Sequence, residues 1–165
     1  MLKKPKILVV GSFVMDLIAS TTVAPKSGET VIGTEFHTAP GGKGANQAVQ
    51  CARLGAQVTM VGNVGADSFG QIMTDTARQA GVDVSHVGVD PSVSSGVGHI
   101  LLEVTGDGAQ NRITVVPGAN HTITTDQIAW LADAIGEYDM LMLQFELPMA
   151  DTVAAARYAK AAGVP

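Results

Sequence analysis

Pro40-Gly41-Gly42-Lys43-Gly44-Ala45-Asn46-Gln47-Ala48 is the stretch that decides how this chain is read. Three glycines in four residues remove side chains where a backbone turns tightly or approaches another group closely. A helix-compatible run follows at once: Ala45, Ala48, Val49 and Ala52 recur at helical spacing, and Gly55 ends it. A turn of this kind can begin a helix and do nothing more. It can also present backbone N–H groups, a cation and an amide to a polar small molecule at the helix N-terminus.

Outward from the turn, buried strands alternate with helices. Residues 7–10 (Ile-Leu-Val-Val) are apolar without alternation, the pattern of a parallel strand covered on both faces, and residues 57–61 and 140–145 read as second and third buried strands. Asp67 or Ser68 caps a helix whose Phe69, Ile72, Met73, Ala77 and Ala80 share a face. Thr124 opens another, bearing Ile128, Leu131, Ala132 and Ile135. Pro148 suits the start of a last helix, which Gly163 closes. Two stretches, residues 16–38 and 82–117, are β-prone and mixed in polarity, with a hairpin turn at Gly106-Asp107-Gly108. The expected fold is an α/β parallel sheet flanked by helices, with both β-rich insertions forming one small sheet as a lid. Gly163-Val164-Pro165 reads as the opening of a further strand, so residues 1–165 are expected to form the N-terminal part of one larger domain.

Composition narrows the function. The net charge is −5 and only 4% of residues are aromatic, which argues against nucleic acid as a partner. Lys3-Lys4-Pro5-Lys6 and the apolar run after it imitate a secretion signal, but Asp16 interrupts the run and no convincing cleavage site follows. No apolar run approaches the ~20 residues that span a membrane. The single cysteine, Cys51, has no partner for an internal disulfide and fits a reducing, cytoplasmic setting. The four histidines are dispersed, without zinc-ligand spacing.

Spacing separates the candidate ligands of the glycine turn. A Walker A loop requires Ser or Thr after Gly-Lys, and Gly44 stands there. A dinucleotide fingerprint requires a third glycine and a position directly after the first strand, and both are missing. Other polar residues fall at the carboxyl ends of the expected strands, where open α/β sheets bind ligands. They are Asp16 after the first, Gly62-Asn63-Val64-Gly65 after the second and Glu146 after the third. Carboxylates that accept hydrogen bonds, with Lys43, Asn46 and N–H groups that donate them, suit a polyhydroxy ligand.

The run Gly41 to Ala48, followed by Gly55 and Gly65, resembles the N-terminal signature of the ribokinase-like carbohydrate kinases of the phosphofructokinase-B type. Val10-Gly11-Ser12, Asp16, Ser27-Gly28-Glu29-Thr30 and Pro117-Gly118-Ala119-Asn120 match further segments of that family. The resemblance implies ATP-dependent phosphorylation of a sugar hydroxyl, a pentose above all, with Mg2+ and K+ as cofactors and a homodimer formed through the lid. It implies that Asp16 and Glu146 bind sugar hydroxyls, and that Gly42, Lys43, Gly44 and Asn46 hold the sugar at the helix start. Val14 departs from the family's usual Asn, which leaves the sugar open, and His99 on a lid strand is a candidate compensating contact. The family's Gly-Ala-Gly-Asp turn, which carries the catalytic base and the phosphate-binding amides, does not occur here. The rival expectation is a non-catalytic fragment that binds sugar weakly or needs a second chain.

Overall fold

The computed structural model describes residues 3–165. Its strands form two four-stranded sheets. The first is wholly parallel, in the order β5-β4-β1-β8. Its strands are β1 (Lys6–Val10), β4 (Gln57–Gly65), β5 (Val82–Asp90) and β8 (Met140–Leu143). The second has the order β3-β2-β6-β7, from β2 (Val14–Thr21), β3 (Glu35–Gly41), β6 (Gly96–Thr105) and β7 (Gly108–Val116). Within it β2 and β6 run parallel, and each carries an antiparallel partner on its outer side.

The parallel sheet explains the unalternating apolar strands. Side chains of successive residues leave a strand on opposite faces. Val9 and Met60 enter a core with Phe13, Met15, Ala48, Met73 and Ala77, under helices α1 (Lys43–Arg53) and α2 (Ser68–Gln79). Leu8, Val10 and Val61 enter a second core with Ile128, Leu131, Ile135 and Ala155, under the short α3 (Leu131–Ala134) and α4 (Met149–Ala162). Both faces of β1 are therefore dry.

Local signals act as expected at several ends. Asp67 caps α2 by accepting from Gly70 N–H at 2.8 Å. Gly163 takes a left-handed conformation after α4, and Val164 N–H reaches back to the Ala159 carbonyl at 2.9 Å. Leu141 N–H, on the outer edge of β8, donates to the Pro165 carbonyl at 2.9 Å, the first link of a strand-like pairing there. No helix among the described residues is long and apolar enough to cross a membrane.

Three expectations need correction. Residues 82–90 are not part of the second sheet: β5 pairs in parallel with β4 and completes the first, so that sheet has four strands rather than three and the second insertion starts at Gly96. The mixed polarity that suggested an open strand reflects β5's place at the sheet edge. The β-prone stretch 16–38 is not strand throughout: β2 ends at Thr21 and β3 starts only at Glu35, because residues 22–34 form a loop held by the Lys26–Glu29 turn. The helix expected after Thr124 is instead a capped 3-10 turn, one α turn and another 3-10 turn. Ile128, Leu131 and Ile135 still share a fully buried face, so the burial pattern survives the broken helix.

The two sheets join where α1 is pressed against the end of β1. A Cβ on Gly44 would stand 2.5 Å from Ser12 N and 2.6 Å from the Gly11 carbonyl carbon. Gly44→Ala is expected to lower unfolding free energy by at least about 2 kcal/mol in chemical denaturation, the upper range of overpacking costs. Gly136→Ala, in open space, serves as the near-neutral control.

Candidate functional site

The glycine turn is first a packing device. Gly42 caps α1 with φ 96°, a conformation that favours glycine, and a Cβ there would stand 2.7 Å from both Ser12 O and Val14 N. The first-turn N–H groups of α1 are all used within the protein. Lys43 N–H donates to Glu146 Oε2 at 3.2 Å, Gly44 N–H to Ser12 Oγ at 3.3 Å, and Ala45 N–H to the Ser12 carbonyl at 3.0 Å. The expectation that this turn offers free N–H donors to a ligand is therefore corrected for Lys43, Gly44 and Ala45. The carboxylate of Glu146 occupies the place an anion would take at a helix N-terminus.

Five of the six expected site residues line one cleft: Asp16, Gly42, Lys43, Asn46 and Glu146. The sixth, Gly44, is buried beneath it against Gly11 and Ser12. The remaining wall comes from the second sheet and is apolar, with Val14, Ile100, Ile113 and Val115. Val14 and Asp16 lie two apart on β2 and so share a face. Gly98 pairs with Asp16 across the β2–β6 ladder. A Cβ on Gly98 would come within 2.5 Å of Asp16 Oδ1, and one on Gly41 within 3.1 Å of Oδ2. These two glycines leave room for the carboxylate. Gly98 was missed from sequence, although a glycine inside a strand is a signal of such close approach.

The two carboxylates differ in state. Burial pushes the Asp16 carboxyl above its ordinary value, and the charge of Glu146 adds to the rise. Among the described residues no hydrogen bond from the protein offsets it. Burial acts in the same direction on Glu146, but the Lys43 ammonium, the Ser12 hydroxyl and Lys43 N–H together hold its carboxyl below the usual range. Ser12 Oγ donates to Glu146 Oε2 at 2.6 Å, and the Lys43 ammonium pairs with Oε1. Ser12 itself was not singled out as a site residue, though it lies in Val10-Gly11-Ser12.

Asn63 does not belong to the site. It lies inside β4, buried, with its amide 3.1 Å from the Thr122 hydroxyl and 3.1–3.2 Å from the Gln127 amide. His99 does not enter it either: Gly98 and Ile100 face the cleft, so His99 between them points to the other side of the sheet. Asn120 acts on the backbone. Its amide accepts from Phe13 N–H at 2.8 Å and donates to the Phe13 carbonyl at 2.7 Å, fixing the chain where it leaves the first sheet for the second. What remains in the cleft is two open acceptors on Asp16, the exposed amide of Asn46 and the ammonium of Lys43, against an apolar wall. That set can hold a small polyhydroxy molecule with one less polar side.

The sequence matches the family described as pfkB family carbohydrate kinase over residues 4–165. The ribokinase of Bacillus subtilis is 42% identical over 159 residues, covering 96% of this chain and 53% of that protein. The deoxyribokinase of Salmonella typhi is 33% identical over 158 residues, covering 96% and 51%. Among solved structures, Arabidopsis thaliana ribokinase complexed with ribose and ATP has a TM-score of 0.83 at 30% identity, covering 99% of this chain and 52% of that one. The chain spans about half the length of the curated relatives it matches.

The two carboxylates should affect stability with opposite sign. Asp16, raised in the folded state, favours folding only when protonated; its contribution is lost as pH rises through its folded value. Asp16→Asn should therefore unfold at a higher temperature than the parent at pH 7 and lose that advantage below about pH 4. Glu146, depressed, stabilises above its unfolded value and less as pH falls through its folded one. Glu146→Gln should lower the midpoint at pH 7 and progressively less in acid. Thermal melts across pH 3–7 measure both (about that range).

Proposed function

The chain belongs to the pfkB family of carbohydrate kinases, and from that membership we propose that it forms the acceptor-binding part of an enzyme that transfers the γ-phosphate of ATP to a hydroxyl of a sugar, a pentose or a molecule of similar size. The observation that carries this reading is the convergence of Asp16, Lys43, Asn46 and Glu146, from separate stretches of chain, on one cleft. In this reading Asp16 accepts from sugar hydroxyls through both oxygens. Asn46 gives and accepts, Lys43 donates, and Glu146 takes a further hydroxyl through the oxygen it shares with Lys43. Gly42 shapes the floor, and Gly44 acts indirectly by letting α1 seat.

The second sheet acts as a lid. Ile100, Ile113 and Val115 supply a water-excluding surface above the polar floor, which protects a transferring phosphoryl group from hydrolysis. The other face of the sheet carries exposed apolar residues, Phe36 and Val116 among them, and a second copy of the chain meeting that face would cover them as a homodimer. Phosphoryl transfer depends on acceptor position and on charge stabilisation at the γ-phosphate. This chain supplies the first. ATP, Mg2+, K+ and the catalytic base are assigned to no residue here: no Gly-Ala-Gly-Asp turn occurs, and no three metal-ligating side chains gather among the described residues. A cytoplasmic location fits a reaction that consumes ATP.

In a full-length protein, Asp16→Ala and Asn46→Ala should each weaken sugar binding by calorimetry at least about tenfold, the cost of one charged or buried hydrogen bond. Undiminished binding in both would sink the site assignment. Val14 brings no hydrogen-bonding group to the face it shares with Asp16. Across a sugar panel followed by ADP release, Val14→Asn should raise kcat/KM for ribose relative to deoxy sugars by about tenfold or more.

A further inference from the structure

Ser12 is the fully buried hydroxyl closest to the cleft's chemistry, and no ligand can reach it. Its backbone is held on every side. Gly11 N–H donates to the Val61 carbonyl at 3.0 Å, Ala45 N–H donates to the Ser12 carbonyl at 3.0 Å, and Phe13 is clamped by Asn120. A side chain so fixed acts as a stationary post. Its one proton goes to Glu146 Oε2 at 2.6 Å, and its oxygen accepts Gly44 N–H at 3.3 Å. Lys43 N–H lands on the same Oε2. The carboxylate therefore has one oxygen tied to two rigid donors, which turns the other, Oε1, toward Lys43 and the cleft.

We propose that Ser12 is a positioning residue for the sugar site: it touches no substrate, and it fixes Glu146 so that Oε1 and the Lys43 ammonium stand at set places in the cleft. The proposal rests on the sugar-kinase reading above. Without the hydroxyl, Glu146 keeps its charge and its Lys43 partner but can rotate, and each sugar must then order it on binding. Gly44 N–H also loses its acceptor. The effect falls on binding of the acceptor rather than on transfer, because Ser12 is fully buried and acts only through Glu146 and Gly44 N–H.

The test uses a full-length protein and sugar-dependent ADP release. Ser12→Ala is expected to raise KM for the sugar about tenfold while kcat changes less than about threefold, as loss of one charge-assisted hydrogen bond would do. In a Glu146→Gln background the same substitution should change KM less than about twofold, because its target is already altered. Ser12→Cys, similar in volume and a weaker donor, should fall between Ser and Ala and covers the case in which the alanine variant does not fold. Equal KM increments in both backgrounds, or an unchanged KM in Ser12→Ala and Ser12→Cys, would overturn the role given to Ser12. Absence of sugar-dependent ADP release from the unsubstituted protein would instead overturn the sugar-kinase reading.

Discussion

The close approach of two backbones, Gly11-Ser12 at the end of β1 and Gly42 to Gly44 at the start of α1, is the constraint on which the rest depends. Side chains at 11, 42 or 44 would fill the gap with atoms less than 3 Å apart. Because the gap is closed, Ser12 can receive Gly44 N–H and Ala45 N–H, and α1 is capped by side chains from elsewhere in the chain rather than by its own N-cap residue, Gly42. Because Ser12 is held there, Glu146 arrives from beyond β8 and finds two donors waiting. One contact thus ties together three segments that are distant in sequence.

From that joint the site divides into a polar floor and an apolar wall. The floor belongs to α1 and to the segment after β8; the wall belongs to the second sheet. Asp16 bridges them, because β2 starts immediately after the joint and carries Asp16 on the same face as Val14. The carboxylate at the floor is held by Lys43 and Ser12 and ionises easily, while burial and the charge of Glu146 oppose ionisation of the one on the sheet, which has no protein donor among the described residues. Its oxygens stay open to the cleft, beside Gly41 and Gly98.

Much of this was legible in the residues. The apolar strands of the core, the helix after the glycine turn, the hairpin at Gly106-Asp107 and the cap at Asp67 all follow from local pattern, which reports burial and turn chemistry directly. The convergence of Asp16, Lys43, Asn46 and Glu146 also followed, since strand ends in a parallel sheet point one way. Edge strands were harder. β5 has one open edge and mixed polarity, so its sequence resembles that of a lid strand, and only its pairing with β4 assigns it. Asn63 shows the opposite error: a polar residue near a strand end looked available, yet Thr122 and Gln127 arrive from far along the chain to satisfy it.

By itself the sequence determined the α/β character, the family and the side chains available to a ligand, because these depend on residue type and short-range order. The tertiary structure decided what those side chains are free to do. It spent the amides of the glycine turn on Ser12 and Glu146, turned His99 away from the cleft and gave Asp16 no protein donor among the described residues. Each of these outcomes depends on which distant segment comes within about 3 Å, the reach of a hydrogen bond, and no local pattern encodes that distance.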